Sequence, residues 1–304
     1  MRRAIHVLGV IALTLIGGIP VHAAEKLKII ASFSILADIT KTIGGDVIDV
    51  ESLIEPGADA HMFEPRPIDI KRLSEADMIV MNGLGFEPWL DRLKPSSKKA
   101  PLRVIASESI VPLPFDHKDH AHHNASDHDA FDPHAWQDVG NVRLYARTIA
   151  AALGSHDPAH QALYSENLSR YDAALAKLDQ DIRNKIAAIP ETRRKLVTTH
   201  DAFGYFEKAY GVEMIAPLGV APEAQPSAKD LARIIRQIRA DSIPAVFLET
   251  MIDPRLAQQL AAESGAKIGG TLYSDTLSAK NGPAGTYIAM METNIRALTD
   301  ALAP

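Results

Sequence analysis

From about Ala159 to Ile189 the chain runs without a glycine or proline, and Pro190 closes the stretch. Leu163, Leu168, Tyr171, Leu175, Leu178, Ile182 and Ile186 recur at spacings of three to five, the period of one buried helix stripe. A helix of roughly 30 residues rises about 1.5 Å per residue, giving a rod of roughly 45 Å. Any fold must accommodate that rod. On either side of it, short apolar runs alternate with helical stretches, so the rod joins two α/β blocks.

Before the rod, Lys28–Ala31, Val47–Ile54, Met78–Asn82 and Leu102–Ala106 read as strands. Helical patterns separate them: Ile35 to Ile43, stopped by Gly44-Gly45; Ile68 to Ala76; and a stretch from Pro88 to Leu93. Asn141 to Leu153 is a further helix, with Gly154 as its expected stop. After the rod, Lys195–Thr198, Val212–Ile215, Ala245–Glu249 and Ile268–Tyr273 are the strands. Their helices are Phe203–Tyr210, Ala228–Ile238, Pro254–Glu263 and a closing one from Thr286 to Leu302. Strands alternating with helices imply parallel βα units.

The blocks resemble each other. KIIASFSILADITKTIGG matches KLVTTHDAFGYFEKAYGV in character, and Pro65 and Asp69 correspond to Pro226 and Asp230. Asn82, Pro88 and Leu90 correspond to Glu249, Pro254 and Leu256. The expected architecture is two similar α/β domains, each a roughly four-stranded parallel sheet flanked by helices, joined by one long rigid helix. The expected division is 25–157, with the linking helix at 158–189 and the second domain at 190–304. Ligands in such open sheets bind beyond the carboxyl ends of the strands, and pockets favour domain interfaces.

Composition closes off several chemistries. The formal net charge is −6, which disfavours a nucleic-acid partner, since phosphate backbones need a basic face. There is no cysteine, so thiolate metal sites, thiol nucleophiles and disulfides are excluded. Arg2 and Arg3, an apolar run from Ala4 to Ile19 and the small residues around Ala23 and Ala24 read as a secretory signal peptide over 1–24. A mature chain free in the periplasm is expected, with no acylated cysteine as anchor.

Six of the twelve histidines fall between Asp116 and Asp138. Residues 116–130 are polar and lack apolar periodicity, so they read as a mobile surface loop. Its His117, His120, His122, His123 and His128 would form an auxiliary metal-collecting arm, since imidazole is a good ligand for zinc and other late first-row metals. His134 differs, standing beside Pro133 and Trp136 in the run FDPHAW.

Four polar residues lie just past strand ends: His61 and His134 in the first block, His200 and Asp275 in the second. If the sheets face each other, all four converge at one cleft. Three imidazoles and a carboxylate make a four-coordinate set that zinc accepts. Glu249 ends a strand nearby. It is a candidate to accept a hydrogen bond from a ligating histidine, or to stand in as another carboxylate, though a surface strand end is the plainer reading. Trp136 reads as packing beside the site.

EPGADAHMFEP, DPHAWQD, VTTHDAFGYF, PAVFLET and LYSDTLS carry a resemblance that covers the mature chain. The chain resembles the periplasmic solute-binding proteins of zinc and manganese ABC transporters, and within them the zinc-type members with a His-rich loop. The resemblance implies two four-stranded α/β domains joined by a rigid helix, with the metal between them. It implies His61, His134, His200 and Asp275 as ligands. It also implies a membrane permease and an ATPase as partners. A periplasmic zinc chaperone is a further expected partner, and a monomer is the expected state. Manganese-type members resembling this chain usually carry Glu where His200 stands, so imidazole here points to Zn²⁺, with Mn²⁺ the alternative. No enzymatic activity is expected. The competing readings are a secreted zinc hydrolase using Glu249 as base, and a metal-dependent adhesin or chaperone without a transporter.

Overall fold

The computed structural model describes residues 26–93, 100–115, 130–219 and 226–303. The expected signal peptide and the five histidines of the expected arm lie outside the described residues.

The first sheet is formed by β1 (Leu27–Phe33), β2 (Ile48–Ile54), β3 (Met78–Met81) and β4 (Leu102–Ile105) in the order β2-β1-β3-β4, all parallel. The second is formed by β5 (Lys195–Val197), β6 (Glu213–Ile215), β7 (Ala245–Glu249) and β8 (Lys267–Leu272) in the order β6-β5-β7-β8, also all parallel. The shared order is the repeat anticipated from the sequence. Every residue of β3 (MIVM) is buried, as a strand covered by helices on both faces requires.

The first half carries α1 (Ser34–Gly44), α2 (Pro67–Glu75), the single turn α3 (Pro88–Asp91) and α4 (Val139–His156). The spine is α5 (Gln161–Ala187), followed by α6 (Gly204–Tyr210), α7 (Ala228–Ala240), α8 (Arg255–Ser264) and α9 (Tyr287–Leu302). The corresponding starts of α2 and α7 are both closed between the residue before the helix and its third residue, in opposite senses. Asp69 accepts the Arg66 N–H at 3.0 Å, and the Ser227 hydroxyl accepts the Asp230 N–H at 3.2 Å.

Two boundaries differ from expectation. Gly154 does not end its helix, because α4 continues to His156. A Cβ added to this buried glycine would lie 3.2 Å from the Gln161 side chain, a tight contact. The spine is shorter than the apolar pattern suggested, because Pro158–His160 forms a separate 3-10 turn before it. Its 27 residues make a rod of about 40 Å.

The spine buries Tyr164, Tyr171, Leu175, Leu178, Ile182 and Ile186 against α1 and α4 of the first half and α6 and α9 of the second. One continuous apolar core therefore runs from the first sheet through the spine to Phe206, Phe247 and Tyr287. A smaller cluster, Val197, Ile234, Ile238, Val246 and Leu260, seals α7 and α8 to the second sheet. No helix among the described residues is long and apolar enough to cross a membrane.

Candidate metal centre

His61 lies in the connection between β2 and α2. Asp59 shapes this loop, its Oδ1 accepting the backbone N–H groups of His61 at 2.8 Å and Met62 at 3.3 Å. Gly57, earlier in the loop, has φ +86°, a left-handed turn that only glycine enters readily.

His134 is set by the Asp-Pro-His run. Oδ1 of Asp132 accepts the His134 backbone N–H at 2.9 Å and lies 2.8 Å from its Nδ1. A carboxylate only accepts, so Nδ1 donates to it and Nε2 is the nitrogen turned to the other donors. The intervening Pro133 carbonyl takes a hydrogen bond from Asn82 Nδ2 at 2.9 Å, and the Tyr145 hydroxyl donates to Asn82 Oδ1 at 2.6 Å. Trp136 is fully buried, as packing beside the site requires, with its ring centroid 5.3 Å from that of His134.

His200 follows β5 and is held by the end of β7. Oε1 of Glu249 accepts the backbone N–H groups of Thr199 at 2.8 Å and His200 at 2.9 Å. Oε2 lies 2.7 Å from His200 Nδ1, a short approach outside hydrogen-bond alignment. Asp275 follows β8. The carbonyl before it, on Ser274, accepts from Trp136 Nε1 at 2.8 Å and Gln137 Nε2 at 2.7 Å.

The four predicted residues meet. One donor atom from each of His61, His134, His200 and Asp275 lies within 4.8 Å of the others, the only such His/carboxylate group among the described residues. His61 Nε2 is 3.3 Å from His134 Nε2 and 3.3 Å from Asp275 Oδ2. His200 Nε2 is 3.1 Å from Asp275 Oδ2, and His134 Nε2 is 3.6 Å from Asp275 Oδ1. A tetrahedron with bonds of about 2.0–2.1 Å has edges of about 3.3–3.4 Å; the His61–His134, His61–Asp275 and His200–Asp275 separations lie close to that, within a set that spans no more than 4.8 Å. Asp275 Oδ1 is buried without a hydrogen-bond partner among the described residues, an arrangement that is costly unless a positive charge faces it.

The electrostatics fit that use. Burial alone would raise the Asp275 carboxyl, but the neighbouring His134 and His200 hold it well below the usual carboxylate range. Burial would lower His200, yet Glu249 and Asp275 on either side push it well above an ordinary imidazole. Burial lowers His61 despite its contact with Asp275. In the metal-free centre the two flanking carboxylates thus favour the protonated form of His200, while burial favours the neutral form of His61.

Glu249 is buried beside His200 and is not a surface strand end. Asp132, Asn82 and Gln137 were not anticipated. Two signals pointed towards them: an aspartate two residues before a histidine can bond forward along its own backbone, and Asn82 corresponds to Glu249 in the internal repeat. The expected arm contributes nothing that can be described, beyond its base. There, Phe115 N donates to Ala130 O at 3.2 Å and Asp132 N to Leu113 O at 2.9 Å.

Comparison with known proteins places this geometry in context. Residues 29–301 match the profile of a family described as ZnuA, zinc-uptake complex component A, periplasmic. The chain is 36% identical over 276 residues to the iron-binding protein YfeA of Yersinia pestis, covering 91% of this chain and 86% of YfeA. It is 31% identical over 287 residues to the manganese ABC transporter substrate-binding lipoprotein PsaA of Streptococcus mitis, covering 92% and 91% respectively. Among solved structures it is similar to the periplasmic zinc-binding protein TroA of Treponema pallidum. The TM-score is 0.83 at 29% identity, over 92% of this chain and all of that one.

Proposed function

The chain belongs to the ZnuA family of metal-binding solute-binding proteins of ABC transporters, and we propose that it captures Zn²⁺ in the periplasm for delivery to an ABC importer. The observation that carries the choice of zinc is the donor set: three imidazole nitrogens and one carboxylate at separations that suit a tetrahedral ion. Imidazole favours zinc over the harder manganese, which prefers oxygen ligands. We assign His61, His134, His200 and Asp275 as the ligands, with Asp132 and Glu249 orienting two of the rings. Ligating histidines ordinarily need such partners on the other ring nitrogen.

Capture also accounts for Glu249 better than hydrolysis does. A catalytic zinc keeps an open position beside a poised base. Here Glu249 already receives two backbone N–H groups and faces the far nitrogen of His200. A manganese reading rests on one further observation. Asp275 offers both carboxylate oxygens, Oδ2 toward His61 and His200 and Oδ1 toward His134, which a cation wanting more than four ligands could use.

Residues 25–157 and 190–304 are assigned as two lobes, with 158–189 as the rigid connection. The partners of this reading are a permease and an ATPase, with a periplasmic zinc chaperone as supplier, and the protein acts as a monomer. The sequence holds no cysteine, so we read the mature chain as freely diffusing after cleavage near Ala23 or Ala24. Competitive titration of metal-stripped protein with Zn²⁺ and Mn²⁺, read by tryptophan fluorescence, tests the choice of metal. Zinc displacing an excess of manganese supports the reading, and the reverse order overturns it.

A further inference from the structure

Asp275 comes after the last strand of the second sheet, yet most of the hydrogen bonds around it run to the first half of the chain. Upstream, the Ser274 carbonyl is held by the Trp136 and Gln137 side chains. Downstream, Leu277 N donates to the Ser34 hydroxyl at 2.9 Å, at the start of α1. Between them, Thr276 Oγ1 accepts the Gly57 N–H at 2.7 Å, in the loop that carries His61. The same hydroxyl lies 3.4 Å from Ser34 Oγ and donates to the Leu277 carbonyl at 3.2 Å. Donors and acceptors run in one consistent direction, from Ser34 to Thr276 to Leu277. Ser34 and Thr276 are both buried. Further along, Tyr287 N at the start of α9 donates to Asp38 of α1 at 2.8 Å, and its hydroxyl donates to the Trp136 carbonyl at 2.8 Å.

His200 is held differently. Its backbone N–H goes to Glu249, Thr198 Oγ1 donates to its carbonyl, and it forms a parallel bridge with Leu218. All of these partners lie in the second half.

We infer that Ser34 and Thr276 are positioning residues that fasten the Asp275 segment to the first lobe whether or not a cation is bound. Asp275 then joins His61 and His134 in a preformed three-donor half-site. His200, with Glu249 behind it, is the one donor that travels with the second sheet. Release of the cation begins by loss of His200, and Asp275 remains with the two first-lobe histidines. This rests on the metal-capture reading for the role of the site, but the fastening itself can be measured without metal.

The test has two arms, both on the full chain. In the metal-free protein, hydrogen exchange resolved to single amides by NMR should show Gly57 and Leu277 slow to exchange, with little change on adding Zn²⁺. Rapid exchange that becomes slow only with Zn²⁺ would overturn the inference. In the second arm, Zn²⁺ release to a chelator is timed. Thr276→Val removes the acceptor of the Gly57 N–H and should release about tenfold faster than wild type, the scale of losing that one bond between the lobes. Thr276→Ser, which keeps the hydroxyl, should restore the slow rate. A wild-type rate in Thr276→Val, with its Gly57 amide exposed to exchange, would overturn the inference. If Thr276→Val does not fold, Ser34→Ala, which removes the acceptor of the Leu277 N–H together with the hydroxyl facing Thr276, is read in the same way at the Leu277 amide. A wild-type protein that takes up no cation would sink the capture reading, while the exchange arm would still decide on the fastening.

Discussion

Glu249 grips His200 at two places: one carboxylate oxygen receives its backbone N–H at 2.9 Å, and the other lies 2.7 Å from its ring Nδ1. The residue is thereby fixed in position and its Nε2 is aimed at Asp275. Replacing Glu249 with Ala should leave the four donors in place but unorient one of them. Zinc affinity should weaken about 10–100-fold, the usual effect of losing such a partner. Calorimetric titration checks this, and an unchanged affinity would mean that Glu249 only supports the strand end.

The same pair sets a proton balance. His200 is pushed well above an ordinary imidazole by Glu249 and Asp275, so at pH 7 the metal-free residue is protonated and a cation must displace the Nε2 proton. His61 is held low and Asp275 is held ionised, so neither adds a proton to the count. His200 should therefore contribute about one released proton per zinc at pH 7, and affinity should fall as pH falls. The sign for stability follows from the raised value. The contribution of His200 to the metal-free fold is complete below its unfolded value of about 6.5 and is lost as pH rises through the folded one. Titrations in buffers of different ionisation enthalpy give the proton count, and no release at pH 7 would contradict the ion-pair arrangement.

Tyr145 supports the other half of the site through Asn82. Tyr145→Phe would leave the buried Asn82 Oδ1 without its donor while Asn82 Nδ2 still holds the Pro133 carbonyl. Urea unfolding of the metal-free protein should show a loss of about 1–3 kcal/mol. A change near zero would show that another donor replaces the phenol.

Deleting residues 117–128 removes all five histidines of the expected arm and none of the four clustered donors. The single tight zinc equivalent should persist, and any weaker equivalents seen in the full chain should vanish. Loss of the tight equivalent would show that arm and site are not separate.

The architecture was legible because parallel strands and their helices leave strong periodic signals. The four donors were legible because each stands singly just past a strand end, where open α/β sheets place ligands. Helix ends were less legible. Gly154 looks like a stop in the sequence but lies inside α4, close to Gln161, a neighbour that only the turn between α4 and α5 brings near. Asp132 was passed over because its bond to His134 is a local backbone turn with no periodic signature. The Ser34, Gly57 and Thr276 contacts join residues more than 200 positions apart, and nothing in their local sequence announces that.

The most direct measurement is calorimetric titration of metal-stripped wild type and His200→Ala with zinc. One tight equivalent should appear in the wild type. In the variant it should weaken by more than about a hundredfold, beyond the loss of an orienting partner alone. Equal affinity in the two proteins would contradict a single cation shared by the two lobes.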